Sequence, residues 1–461
     1  MLPSYDIAAD LDTPVSAFLK LRPFRPRFLL ESVEQGLRIA RYSYIGFGDC
    51  AEFRLERDGL YVDGRRRERP EGGAALLAAM RAALAGAPRP RGRFGLPPLA
   101  GGLVGFSSFD LARTLDPLPD APARGGDGPE ACYLAPRSML VFDHLTRGVT
   151  VLHDGSDAER ESLTREIVAA LRGPLPERRG AFHYAPAIPS LGRGAFCQSV
   201  GRAQDHIAAG DVYQLVLSVQ FGGECELDPF EVYRALRLLN PSPYMYYVEA
   251  GGLTVVGSSP EALVRLSGGR AQLRPIAGTV PRGADAAEDE RQARRLVEDP
   301  KEGAEHVMLV DLARNDLGRV ARAGSIHVRP WRQVERYSHV MHLVSGVDGE
   351  LAAGRDAFDL FAAAFPAGTL VGAPKSSALR IIDALEPVGR GLYGGTVGYF
   401  GRGGDMDQAI TIRSMVFGQG RYSFQAGAGI VAHSRPEREH DEVIAKSAVM
   451  RRALEMAEAG L

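Results

Sequence analysis

Residues 244–269 read YMYYVEAGGLTVVGSSPEALVRLSGG. Three strand-like runs, YMYYVEAG, LTVVGSS and ALVRLSG, follow one another with only glycine, serine and proline between them. β-Branched and aromatic residues suit a pleated surface, and Gly and Pro punctuate it. The same texture fills the first 150 residues, where FLLESV, RYSYIGF, GLYVDG, GLVGFSSF and SMLVFDHL read as strands or strand ends. Helical stretches are interleaved. LDTPVSAFLKL is opened by Thr13-Pro14, GGAALLAAMRAALAG is closed by Gly86, and DAERESLTREIVAALRG, FCQSVGRAQDHIAAGD and Pro229–Leu239 follow. The pattern predicts an α+β fold, mostly antiparallel sheets covered by helices. Three regions are expected: 1–150, a helix with a Pro/Gly/Arg-rich linker over 151–190, and 191–458. No fixed-period repeat is visible.

Composition narrows the class. The chain has 461 residues, 45% hydrophobic and 24% charged, with a net charge of −2. That profile fits a globular protein and gives no reason to expect nucleic acid or an anionic membrane as partner. No apolar run approaches the roughly 18–20 residues of a membrane span, and MLPSYDIAADLDTP lacks a signal-peptide core. The four cysteines, Cys50, Cys132, Cys197 and Cys225, form no C-x-x-C pair and read as reduced thiols of a cytoplasmic protein. Only four of the 55 basic residues are lysines: Lys20, Lys301, Lys375 and Lys446. Arginine cannot replace a compact point charge, so those four are worth inspecting.

The segment KEGAEHVMLVDLARNDL, 301–317, places Glu302 and Glu305 on one helical side ahead of a run that demands burial. PEREHDEVIAKS, 436–447, repeats the device with Glu439 and Glu442, and Lys446 lies four further on. Two acidic faces brought together form an oxygen-rich site suited to Mg²⁺; apart, they are solvated helices. A di-iron reading through Glu437-x-x-His440 conflicts with the strand-rich context. FPAGTLVGAPKSSALRIID, 365–383, resembles an anion-binding turn with Thr369 and Lys375, but it is not a P-loop. QAGAGIVAHS offers the backbone of Gly427, Ala428 and Gly429. AITIRSMVF, 409–417, reads as one apolar strand whose Arg413 is either an edge residue or a carboxylate binder. RYSHVMHLVSG holds His339 and His342, Glu261 follows Pro260, and Thr279 sits in a Gly/Pro turn. This inventory suits a small dianion held through a metal and an arginine, with an acid nearby for a leaving group.

PIAGT, EHVMLVDLARND, YSHVMHLVS, AGTLVGAPK, YGGTVGYF, AITIRS and QAGAGIVA occur in that order. Together with ADLDTPVSAFLKL, FLLESVE and RYSYIGFG they resemble the chorismate-utilising enzymes, most closely anthranilate synthase component I. The resemblance covers nearly the whole chain and implies large antiparallel sheets around a central cleft. It implies that Glu305 and Glu442 bind Mg²⁺, supported by Glu302 and Glu439. It assigns Arg413 and Tyr393, with the backbone of Gly427, Ala428 and Gly429, to the enolpyruvyl carboxylate. Thr279, Thr369 and His342 would line the ring, Lys446 would lie beside the metal, and Glu261 would protonate the departing C4 hydroxyl.

Gln214 stands where the water-adding branches of the family have a lysine base, and Ala277 where some aminodeoxychorismate synthases have lysine. Both favour ammonia attack at C2. Leu29 to Ser32, with Glu31 and Ser32, resembles a tryptophan feedback site that Asn240, Pro243, Tyr244 and Met245 would complete. Val371 and Ala445 depart from the family's usual serine and asparagine. They leave open a 2-amino-2-deoxyisochorismate synthase or an aminodeoxychorismate synthase. A regulatory paralogue binding tryptophan or chorismate is the non-enzymatic alternative. No segment reads as a Cys-His-Glu amidotransferase, so ammonia from glutamine is expected through a separate amidotransferase subunit in a hetero-oligomer.

Overall fold

A computed structural model describes residues 5–32, 41–93, 95–116, 128–177, 183–336 and 340–461, with Thr279 described by its backbone alone. His339 lies outside the described residues. Every strand pairing among the described residues is antiparallel, as the short Gly/Pro connections require. One path of hydrogen-bonded strands runs through the molecule. It passes from 347–350 through 270–273, 262–267, 406–410, 396–401 and 102–107 to the long strand Ala131–Asp143. From there it continues through Tyr42–Glu56, 26–31, 244–250, 253–259, 414–418 and 421–430 to 214–224.

The path folds back on itself at the two long strands, giving two leaves that face each other. Phe28, Tyr246, Val248 and Val255 from one leaf pack with Val104, Phe106, Val397 and Ala409 from the other. Helices Gly72–Gly86, Pro300–Gly318 and Ala357–Ala364 cover the outer face of the first leaf. Helices Pro14–Lys20, Arg193–Ala208, Pro229–Leu239, Lys375–Leu385 and Pro436–Ala459 cover the second. The α+β reading is therefore right, and the boundaries of Gly72–Gly86 and Pro229–Leu239 match the sequence signals. Thr13 caps its helix reciprocally with Ser16, as Thr13-Pro14 suggested. Ile188–Pro189 in the linker region pairs with Phe221–Gly222.

Two connections carry the chain from leaf to leaf. Strand 253–259 belongs to the second leaf, and after Pro260 and Glu261 the chain enters 262–267 of the first. Strand 406–410 returns through Thr411, Ile412 and Arg413 to 414–418. AITIRSMVF is thus not one strand. Its ladder breaks at 411–413, because residues on either side pair with different leaves. The two crossings bond to each other: Ser258 N–H donates to the Arg413 carbonyl at 3.1 Å, and Ile410 N–H to the Glu261 carbonyl at 3.0 Å.

Beneath this corner lies a buried ion pair. Arg390 donates to both Glu386 oxygens (2.9 and 2.7 Å) and to the carbonyls of Leu370 (2.6 Å) and Val216 (2.7 Å). Glu386 also accepts from the backbone and hydroxyl of Ser218, at 2.8 and 2.7 Å. The pair locks strand 214–224 to the segments carrying Thr369 and Tyr393. Removing one partner strands a buried charge, so Arg390→Met is expected to cost about 3–5 kcal/mol. Adding Glu386→Gln, which removes the charge but keeps an acceptor, is expected to recover part of it. Denaturant titration of both variants checks this.

Candidate active site

The paired crossings place Glu261 and Arg413 side by side in the cleft. Pro260 stops one ladder, and Glu261 follows it without a strand partner. Thr369, from the short turn Gly368–Val371, donates to Glu261 at 3.3 Å. Burial pushes the Glu261 carboxyl up to about 7, against the opposing pulls of Thr369, Arg413 and Lys446. Arg413 adopts φ 49°, left-handed for a residue with a Cβ, a conformation that costs of order 1–3 kcal/mol and clusters at functional sites. It has no carboxylate within ion-pair distance among the described residues, and burial lowers its pKa. Its hydrogen-bond partner there is the Asn240 side chain, at 3.4 Å.

Gly427, Ala428 and Gly429 lie within strand 421–430, opposite Ser218, Leu217 and Val216. A Cβ at Gly427 would stand 2.7 Å from the Tyr393 hydroxyl, so the tyrosine fills the space that glycine leaves. Lys446 donates to the Gly427 carbonyl at 3.0 Å and pairs with Glu442 at 2.7 Å. Glu442 lies near enough to Tyr393 to raise its phenol, after the larger effect of burial. Thus Glu261, Thr369, Arg413, Lys446, Gly427, Tyr393 and Glu442 are brought together from six separated segments.

A three-stranded sheet, 276–281, 340–344 and 333–336, completes the wall. His342 sits opposite Thr279 and bonds through Nδ1 to the Gly278 carbonyl at 3.2 Å. A carbonyl only accepts, so Nδ1 carries the proton. Burial holds the His342 pKa below its ordinary value. A Cβ on Gly278, at φ 70°, would meet Glu302 Oε2 at 2.9 Å, which brings the first carboxylate helix to the same wall. Burial and the charge of Glu305 both raise the Glu302 carboxyl. Lys301 offsets part of that repulsion, and a carboxylate pair of this kind is the chemistry a hard divalent cation takes, with water or substrate oxygens filling the rest of its shell. Glu305 is exposed and Glu439 half-buried. Among the described residues no three His, Cys, Asp or Glu gather into one cluster.

Several sequence expectations change here. Val307 points outward rather than into the core. His306 is buried against Ser345 Oγ at 2.7 Å and pushed down to about 4 by burial, so it is a neutral structural group. Lys375 does not present an anion site. It pairs with both oxygens of Asp316, at 2.9 and 3.0 Å, fastening the 368–375 turn to the carboxylate helix. Val371 is fully buried in the core beneath the helices, so its departure from serine is a packing change. Gln214 begins its strand opposite Ala373.

The feedback set divides. Glu31 is buried and held by Tyr233 and by Arg237, at 3.1 and 3.3 Å, opposite Met245. Ser32 and Pro243 are half-buried, and Tyr244 donates to Asp407 at 3.0 Å. The Asn240 side chain faces Ser258 and Arg413. Sequence reasoning missed Asp407, whose carboxyl burial pushes up to about 6, and the Glu386–Arg390 pair. An acid inside the apolar MDQAI strand was the available signal.

Comparison with known proteins gives the family. Residues 25–452 match the family described as chorismate binding enzyme. Anthranilate synthase component 1 of Thermus thermophilus is 46% identical over 461 residues, covering 98% of this chain and 97% of that protein. The Streptomyces coelicolor protein of the same name is 44% identical over 470 residues, covering 98% and 88%. The crystal structure of anthranilate synthase component I from Streptococcus pneumoniae superimposes with a TM-score of 0.78 at 33% identity, covering 96% of this chain and 99% of that one. The chain belongs to the chorismate-binding enzymes, and within them it groups with anthranilate synthase component I.

Proposed function

We propose that this protein converts chorismate and ammonia to anthranilate, pyruvate and water as the large subunit of a tryptophan-pathway anthranilate synthase. The observation that carries the reading is the buried Glu261 carboxyl, pushed up to about 7 beside Arg413, which has no ion pair among the described residues. An acid with that pKa keeps its proton near neutrality and can release it to a leaving group. Glu261 delivers that proton to the C4 hydroxyl, which departs as water while ammonia bonds to C2. Arg413 and Tyr393 hold the enolpyruvyl carboxylate, and Thr369, Thr279 and His342 bound the ring. In the second step the C3–O bond breaks, C2 loses its proton, the methylene gains one, and the ring becomes aromatic as pyruvate leaves. Neutral His342 suits a place beside that ring, since an imidazolium would compete with Arg413 for the same anion.

Gln214 cannot deprotonate a nucleophile, which agrees with ammonia, already nucleophilic, as the attacking group. Glu305 and Glu442 would hold Mg²⁺, with Glu302 and Glu439 supporting them. The ion supplies Lewis-acid neutralisation of the ring carboxylate. A separate glutamine amidotransferase subunit would deliver the ammonia, making the working enzyme a cytoplasmic hetero-oligomer. No helix among the described residues is long and apolar enough to cross a membrane. Tryptophan would bind near Ser32, Pro243, Tyr244 and Met245 as a feedback inhibitor. Relatives named anthranilate synthase component 1, at 46% and 44% identity, support anthranilate over a product that retains the enolpyruvyl group.

The deciding experiment incubates purified protein with chorismate, Mg²⁺ and ammonium and identifies products by fluorescence and mass spectrometry. Anthranilate with stoichiometric pyruvate is expected; an aminated product retaining enolpyruvate would move the protein to the non-eliminating branch. Glu305→Ala and Glu442→Ala are each expected to lose at least a hundredfold in Mg²⁺-dependent turnover. Substantial residual activity in either variant would remove it from the metal site.

Glu261 also links activity to stability. Its folded-state pKa lies near 7 against an ordinary 4.5, so the folded chain holds this proton more tightly than the unfolded chain. Its contribution is fully present below the unfolded value and is lost as pH rises through the folded one. Glu261→Gln should therefore be inactive yet more stable than wild type at pH 8, by on the order of 1–3 kcal/mol. That gap should close toward pH 4, and denaturant titrations at both pH values read it. Tryptophan should inhibit the wild type and fail to inhibit Ser32→Phe, with catalysis retained; a wild type that ignores tryptophan has no feedback site here.

A further inference from the structure

Asn240 belongs to the expected feedback set, and its side chain also reaches toward Arg413. It caps helix Pro229–Leu239, its backbone N–H donating to the Leu236 carbonyl at 2.8 Å. Its Nδ2 donates to Ser258 Oγ at 2.8 Å and to Ser242 Oγ at 3.3 Å. Its Oδ1 accepts from Arg413 Nη1 at 3.4 Å. Arginine has no acceptor, so only the oxygen of the amide can face it, and the amide orientation is fixed by chemistry.

Ser258 closes the arrangement. It is fully buried, and its N–H donates to the Arg413 carbonyl at 3.1 Å. Arg413 is therefore gripped twice from one side: at its backbone by Ser258, and at its guanidinium by the amide that Ser258 anchors. The left-handed φ of 49° at Arg413 needs such over-determination to persist. The contact from Asn240 is long and uses one of five guanidinium protons, so the remaining donors stay available to a carboxylate. An aspartate here would have neutralised the arginine; an alanine would have let the fork swing. An amide orients it without removing its charge.

We propose that Asn240 is a positioning residue for Arg413, aiming the guanidinium at the ligand carboxylate through an amide anchored on Ser258. The proposal rests on the reading of Arg413 as the carboxylate-binding arginine. The same turn of helix also reaches the other ligand site of the proposed function. Arg237, three residues before Asn240, and Tyr233, one turn earlier, hold Glu31. One helix end thus fixes a residue of the feedback strand and the substrate arginine.

The test is a double-mutant cycle on chorismate affinity. Chorismate binding without ammonia, and ammonia-dependent kcat and KM, are measured for wild type, Asn240→Ala, Arg413→Ala and the double variant. Tryptophan inhibition and melting temperature are recorded for each folded protein. Asn240→Ala should weaken chorismate binding about tenfold with a smaller change in kcat, and should add nothing in the Arg413→Ala background. Ser258→Ala, which keeps the packing and removes the anchor, should shift KM in the same direction by less; it stands alone if Asn240→Ala does not fold. Unchanged chorismate affinity in Asn240→Ala, or fully additive losses, would overturn the positioning role. Lost tryptophan inhibition with unchanged KM would return Asn240 to the feedback site. If Arg413→Ala itself binds chorismate normally, the carboxylate reading of Arg413 fails first, and that outcome is visible independently of Asn240.

Discussion

The active site depends on one constraint: two neighbouring strands must leave one leaf and enter the other at the same place. A ladder broken at a corner exposes backbone donors and acceptors that water cannot reach. Here the two breaks satisfy each other, Ser258 to Arg413 and Ile410 to Glu261. The corner then has a second property. Along a strand every other side chain is committed to the core, but residues at a crossing belong to neither leaf's alternation. Glu261 and Arg413 occupy those uncommitted positions. A carboxylate and a guanidinium enter the middle of a two-leaf sandwich without displacing an apolar layer from either.

The electrostatics follow from which charges the fold neutralises. Arg390 and Arg413 both lie close to Tyr393 or Glu261, yet their roles differ. Arg390 is almost fully buried and saturated by Glu386 and two carbonyls, so it acts as a rigid strut. Arg413 has an amide where Arg390 has a carboxylate. Its charge stays available, and with Lys446 it restrains a carboxyl that burial alone would push higher. A buried acid beside a cation with no counter-ion among the described residues is costly. An anionic ligand would offset that cost, which is the logic of binding energy realised at the reacting centre.

Most elements were legible because their signals are local. Thr13-Pro14 and the Gly-rich turns act within one turn of chain, and the helix starts at Pro14 and Pro229 agree with the structure, whereas strands Tyr42–Glu56 and Ala131–Asp143 run well beyond RYSYIGF and SMLVFDHL. What failed was non-local. ITIRS has continuous β propensity, and nothing within it reveals that its neighbours change between Ile410 and Ser414. Val371 departs from the family's serine two residues after Thr369, and its side chain is fully buried in the core under the second leaf's helices. Asn240 and Tyr244 stand together in the resemblance to a feedback site, yet their side chains face different partners. The helix C-cap sends its side chain toward Arg413 while the following strand faces Asp407. The family resemblance named Glu261 and Arg413 together without a reason for their meeting; the pairing register supplies one.

The scarce lysines show how the site is fastened. Three of the four bridge one carboxylate to one backbone carbonyl. Lys20 joins Asp12 to Leu171, Lys375 joins Asp316 to Ala364, and Lys446 joins Glu442 to Gly427. A compact ammonium with three rotatable donors can meet two acceptors in unrelated directions, where a planar guanidinium demands its own geometry. The three differ in solvent access. Lys20 and Lys375 are mostly buried and act as permanent clips, whereas Lys446 and Glu442 are each about half exposed, at 53% and 47%. An exposed pair of this kind is worth little, typically about 0–1 kcal/mol. The Glu442 pairing is therefore cheap to break, while the Lys446 bond to the Gly427 carbonyl ties the last helix to the strand beside Tyr393.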